Sequence, residues 1–155
     1  MSVTVVIEDE RWPELSLIDD FFKATLQTVS FCPQAEVTLV LTDNVMSQDL
    51  NKRYRNKDTP TNVLSFPLYE KDDLTTLWKD EKKDVNLGDI ILALETIQSE
   101  AHIFDHHVYH LFTHGLLHLL GYDHINDEDA VIMENIEVCV LDIFSIPNPY
   151  LTQTV

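Results

Sequence analysis

Residues 114–124 read His-Gly-Leu-Leu-His-Leu-Leu-Gly-Tyr-Asp-His, and no other stretch restricts the fold of this chain so strongly. On a helix, His114 and His118 stand one turn apart and project from the same face. They are then separated by about 6 Å along the axis, so both imidazoles can converge on one ion at about 2.1 Å. A third ligand has to approach from another direction. Gly121 supplies the means, because glycine enters the left-handed region freely, ends the helix and lets His124 swing back. Three histidines leave a fourth coordination place for water or substrate, as in catalytic zinc sites. The spacing therefore predicts one zinc ion per chain, held by His114, His118 and His124.

Four further histidines lie upstream. His102, His106 and His110 continue the four-residue spacing backwards. His110 and His118 would lie about 12 Å apart on a straight helix, too far for one ion. His110 is therefore expected either to pack beside the site or to hydrogen-bond a group that supports a ligand. His102, His106 and His107 are expected on the helix surface. The ligand spacing H-x3-H-x2-G-x2-H is that of the metzincin proteases. Those enzymes carry Glu directly after the first His as general base. Here that position is Gly115, which argues against a peptidase. Asp123 and Glu128 are nearby carboxylates, but spacing alone puts neither on the required side of the ion.

The chain has 155 residues, enough for one domain (1–155) with a sizeable core. No apolar run approaches membrane-span length. The opening Met1–Ile7 lacks a basic leader and runs into Glu8, Asp9 and Glu10, so a cytoplasmic location is expected. Cys32 precedes Pro33 in a loop. Cys139 is expected in the core, on a stripe with Ile132, Ile136 and Ile143. A disulfide between the two is not expected in a reducing compartment. The net charge is −17, from 27 acids against 10 Lys and Arg, which disfavours unspecific binding of polyanions. Yet Lys52, Arg53, Arg55 and Lys57 gather four of those cations within six positions. Such a spot can seat a phosphate, although a charge run by itself reads first as a solvated helix end.

Periodicity predicts strands over Val3–Ile7, Glu36–Leu41, Val63–Phe66 and Leu87–Leu92. Prolines 60 and 67 make the third an edge strand. Helices are predicted over Glu14–Val29, from a Thr42 or Asp43 cap to about Arg53 with Val45, Met46 and Leu50 buried, from Ala93 to His118 with a break near Phe104–His106, and over Asp127–Phe144. Leu68–Asn86 reads as a surface loop with one helical turn at Leu74–Trp78. The expectation is an α+β fold: a small mixed four-stranded sheet, about five helices and a metzincin-like three-histidine site.

Beyond the HGLLHLLGYDH run, the block Tyr54–Pro67 (YRNKDTPTNVLSFP), the run Leu87–Ile90 (LGDI) and Asn148-Pro149-Tyr150 carry a likeness. Over about Glu36 to Tyr150 the chain resembles the YbeY-type endoribonucleases, bacterial rRNA maturation factors. The resemblance implies an α+β fold and a zinc held by His114, His118 and His124. It implies endonucleolytic cleavage of single-stranded RNA, maturation of small-subunit rRNA ends and ribosome quality control. Its expected partners are single-stranded rRNA and the ribosome or its proteins, with no DNA and no membrane. By motif position it implies that Arg55 is the functional arginine facing the metal cleft. A fixed guanidinium there can bind two phosphate oxygens at once, with Arg53 and Lys57 steering flanking phosphates. No residue identifies itself as general base. Two other readings stay open: a metal-dependent peptidase or small-molecule hydrolase, and a non-catalytic ribosome-assembly factor with structural zinc.

Overall fold

In the computed structural model, which describes residues 2–151, the order is β1 (Ser2–Ile7), α1 (Ile18–Thr28), β2 (Gln34–Thr42), α2 (Asn44–Arg55), β3 (Val63–Pro67), α3 (Lys71–Leu77), β4 (Asp84–Ala93), α4 (Leu94–Glu100), α5 (Phe104–Leu119) and α6 (Asp127–Ile143). Met1 and residues 152–155 of the expected domain lie outside the described residues. The strands form one mixed sheet in the order β1-β2-β4-β3. β1, β2 and β4 run parallel, and β3 pairs antiparallel with β4. β3 is thus an edge strand, where the flanking prolines cost no ladder hydrogen bond.

Alternation in β2 turns Ala35, Val37, Leu39 and Leu41 to one face, each no more than 1% exposed. α1 and α5 cover that layer, with Phe21, Phe22, Phe112, Leu116 and Leu117 in the same core. At 25–30 cal/mol per Å², each such side chain contributes roughly 1.5–3 kcal/mol. The α5 backbone is therefore set firmly against the sheet. Gly88 marks the closest approach inside it. Its φ is 126°, and a Cβ there would lie 2.1 Å from the Phe66 carbonyl oxygen. Leu87 and Gly88 together oppose the single Val37, a bulge in the β2–β4 ladder.

Six helices form among the described residues, where about five were expected. The long region from Ala93 splits because Ala101 and Ile103 are extended, ending α4 and opening α5. β4 begins at Asp84, not Leu87, since the bulge lets pairing continue upstream to Gln34. The expected loop contains the two-turn helix α3, pinned by the fully buried Leu74.

Two burial expectations are overturned. α2 leaves Val45 77% exposed and buries Ser47 and Asn51 instead. It packs on the polar loop 58–62 by hydrogen bonds, so its polar face is the inner one. In α6, Cys139 is exposed, and Ile132 and Ile143 are more than half exposed. The buried face is Met133, Glu137, Val140 and Leu141. A glutamate in the middle of that face made the neighbouring stripe the more apolar one in sequence.

Candidate metal centre

α5 ends as the glycine spacing requires. Gly121 has φ 98°. Its N–H donates to the His118 carbonyl at 3.0 Å, and the Tyr122 N–H donates to the Leu117 carbonyl at 3.0 Å. This pair of bonds is the Schellman arrangement, which satisfies carbonyls the helix leaves open. The same reversal points the Tyr122 carbonyl at His118, whose Nδ1 donates to it at 3.0 Å. It also returns His124 to the face of α5 that carries His114 and His118. The three rings offer nitrogen atoms that all lie within 4.8 Å of one another.

His114 is supported from α6. Its Nδ1 donates to Glu137 Oε1 at 3.2 Å. The same oxygen accepts from His110 Nε2 at 2.6 Å and from the Tyr150 hydroxyl at 2.8 Å. Glu137 is fully buried, and its Oε2 has no partner. Burial would raise this carboxyl, but the bonds from His110 and His114 outweigh it and bring it down to about 2. Glu137 is therefore a carboxylate at neutral pH. The Tyr150 phenol moves the other way, pushed well above its usual range by burial and by the Glu137 charge.

The chemistry of the donor set fits a cation. Tyr122 offers His118 a carbonyl and Glu137 offers His114 a carboxylate, so both Nδ1 atoms carry their protons. Both Nε2 lone pairs then face each other across 3.1 Å. Two lone pairs at that distance repel, and a shared positive charge removes the repulsion. His118 is also held neutral, with its pKa pulled to about 4 by burial and then by the repulsion that protonating both it and His114 would create. A neutral imidazole with its Nδ1–H anchored is the form that binds metal. Imidazole ligands suit zinc, copper, iron and nickel, so the donor set leaves the element open.

His114 and His118 line a cleft of about 620 Å³ with Tyr54, Arg55, Ser65, Phe66, Tyr122 and Asp123 among its walls. Arg55 reaches it because α2 stops beside the cleft, where Asn56 adopts the left-handed conformation at φ 56°. The following loop is tied back to α2. Ser47 donates to the Thr61 carbonyl at 2.7 Å, and Asn51 donates to the Thr59 carbonyl at 2.9 Å. Arg53 and Lys57 are exposed and do not line the cleft; Arg53 pairs with Asp49 at 3.1 Å. His102 lies before α5, and His107 pairs with Glu100 at 3.0 Å. Neither belongs to the three-ring cluster, nor does His106.

Position 115 is packed against Val63 and Ser65, two residues of the cleft wall. A Cβ on Gly115 would meet Ser65 Oγ at 3.0 Å, Ile90 Cγ2 at 3.1 Å and Val63 Cγ2 at 3.3 Å. The helix lies against β3 and β4 there, so a carboxylate of the protease kind has to push these side chains aside by a few tenths of an ångström. Glu137 is the site residue that sequence reasoning missed. Its trace was a lone acid at helical spacing from Met133 and Leu141.

The profile of the family described as Endoribonuclease YbeY matches residues 6–145 of this chain. An Endoribonuclease YbeY of Ruegeria sp. strain TM1040 is 40% identical over 167 residues, covering 99% of this chain and 98% of its own. That of Zymomonas mobilis is 46% identical over 121 residues, covering 76% and 69%. The solution structure of TM1509 from Thermotoga maritima covers 97% of this chain and 100% of its own, with a TM-score of 0.56 at 20% identity. That last likeness is one of fold.

Proposed function

This chain belongs to the Endoribonuclease YbeY family, and from that membership and the cleft we propose a zinc-dependent endoribonuclease, one domain over residues 1–155, that cuts single-stranded RNA. Its substrates in this reading are small-subunit rRNA ends, with a part in ribosome quality control in the cytoplasm. The observation that supports it most is the cluster of three imidazoles, two of which line a cleft that also carries Arg55.

His114, His118 and His124 would hold the ion. The chemistry zinc supplies in such a ligand set is Lewis acidity toward a phosphoryl oxygen. The protein's own groups do the positioning. Glu137 and the Tyr122 carbonyl fix the ring orientations of His114 and His118. The Arg55 guanidinium, at the end of α2, binds the phosphate and offsets the charge that grows on it during cleavage. Arg53 and Lys57 supply a positive field outside the cleft. The chain is strongly acidic, so this local cluster gives an RNA strand one favourable approach. The crowding at Gly115 counts against a peptidase of the metzincin kind.

The test is elemental analysis with parallel assays of RNA and peptide substrates. Wild type is expected to carry about one zinc per chain and to cut single-stranded RNA. His114→Ala, His118→Ala and His124→Ala, purified alongside, are expected to lose both. Peptide turnover without RNA cleavage, or cleavage that survives all three substitutions, overturns the proposal. Ribosome binding without any cleavage would favour the assembly-factor reading instead.

A further inference from the structure

One large aromatic on the cleft has no role in the account above. Tyr54 lies in the last turn of α2, lines the same cleft as Arg55, His114 and His118, and is 65% exposed. Tyrosine has a large apolar body, and so much exposed ring gains little from burial. Yet the ring is not loose. It packs edge-to-face against Phe66 of β3, with centroids 5.2 Å apart and planes at 67°. A T-shaped contact restrains a ring while leaving another of its surfaces open to solvent. The helix end is itself braced by the Ser47 and Asn51 bonds to the loop behind it.

Resting on the ribonuclease reading, we propose that Tyr54 is a stacking platform for one unpaired nucleobase of the RNA strand, and so a source of single-strand preference. Three features of the cleft favour that ligand. A restrained aromatic face is what an unstacked base seeks, and every base has a matching π face. The neighbouring residue is Arg55, so a base on Tyr54 places its own backbone beside a phosphate-binding group. At the same helix end Arg53 pairs with Asp49 and Lys52 lies 3.9 Å from Asp58, which leaves Arg55 and Lys57 as the cations that attract a polyanion. In a duplex both faces of each base are covered by neighbours, so the platform offers nothing to paired RNA.

Wild type, Tyr54→Phe and Tyr54→Ala are compared on short RNA strands carrying 2-aminopurine at successive positions, a base whose fluorescence is quenched by stacking. Binding is read in the first phase after mixing, so this arm does not require cleavage. Wild type and Tyr54→Phe should quench the probe at one position, and Tyr54→Ala should not. In steady state Tyr54→Ala should raise KM for single strands about ten-fold, with kcat changed far less and KM for duplex RNA unmoved. A single abasic site at the quenched position should penalise wild type and leave Tyr54→Ala indifferent. Quenching that survives Tyr54→Ala, or an equal abasic penalty in both proteins, overturns the proposal. If wild type quenches the probe at the Tyr54-dependent position yet cuts no RNA, the ribonuclease reading fails and the platform stands.

Discussion

Glu137→Gln isolates what a buried negative charge does for the three-histidine centre. The substitution keeps the size of the side chain and one oxygen, and removes the charge behind His114. In the native protein Oε1 gathers bonds from His110 at 2.6 Å, Tyr150 at 2.8 Å and His114 at 3.2 Å. A carboxylate on Nδ1–H makes the opposite nitrogen a better ligand, and losing such support typically weakens metal binding 10- to 100-fold. The His114 bond is the longest of the three, and the oxygen is shared. The expected loss therefore sits at the low end, about ten-fold in Kd, or ~1.4 kcal/mol. Glu137→Ala is a poorer probe, because stranding buried donors costs about 3–5 kcal/mol of folding stability and confounds the two effects. The assay is competition for zinc against a chelator of known affinity, with urea melts of the metal-free proteins beside it. Tyr150→Phe removes one donor from Oε1 without touching the charge, and should shift zinc affinity by less than about three-fold. Zinc affinity in Glu137→Gln within two-fold of wild type, with folding intact, would refute the reasoning. So would an equal loss in Tyr150→Phe.

Three further outcomes are expected. Arg55→Ala should lower kcat for RNA by about 10²-fold or more with zinc content unchanged, and Arg55→Lys should recover little of it, since one ammonium cannot grip two oxygens; steady-state kinetics with metal analysis checks this. Gly115→Glu should create no peptidase and should destabilise the fold by on the order of 3 kcal/mol, because the side chain drives into Ser65, Ile90 and Val63; urea midpoints measure the loss. The metal-free protein should weaken in mild acid. His118 has its pKa lowered from 6.5 to about 4, so the unfolded chain binds more protons than the folded one between those values. Stability is then full above about pH 6.5 and falls as pH drops toward 4. Glu137, lowered from 4.5 to about 2, extends the same trend further down. Denaturation midpoints in chelator that stay flat or rise from pH 7 to pH 5 would contradict this.

The centre was legible in the sequence to the extent that it is local. Two histidines one turn apart, a glycine that can pass into positive φ and a third histidine three residues on are facts about one short segment. Backbone geometry alone carries them to a common point. The β-branched strands, the edge position of β3 between prolines and the amphipathic α1 follow from equally local periods. What surrounds the centre came only from tertiary structure. Glu137 meets His114 across 23 residues, as α6 packs on α5. Hydrophobic periodicity favours the stripe through Cys139, Ile132, Ile136 and Ile143, whereas the buried face is the one that carries Glu137. Ser47 and Asn51 made the same inversion in α2, because hydrogen bonds to a distant loop, not apolar burial, decide which side faces in. Position 115 could be read as a missing carboxylate, but only the sheet beneath it shows how tightly that position is packed. Spacing along one helix is set by bonds within that helix. The partners of a buried charge are set by which elements meet, and no single segment encodes that.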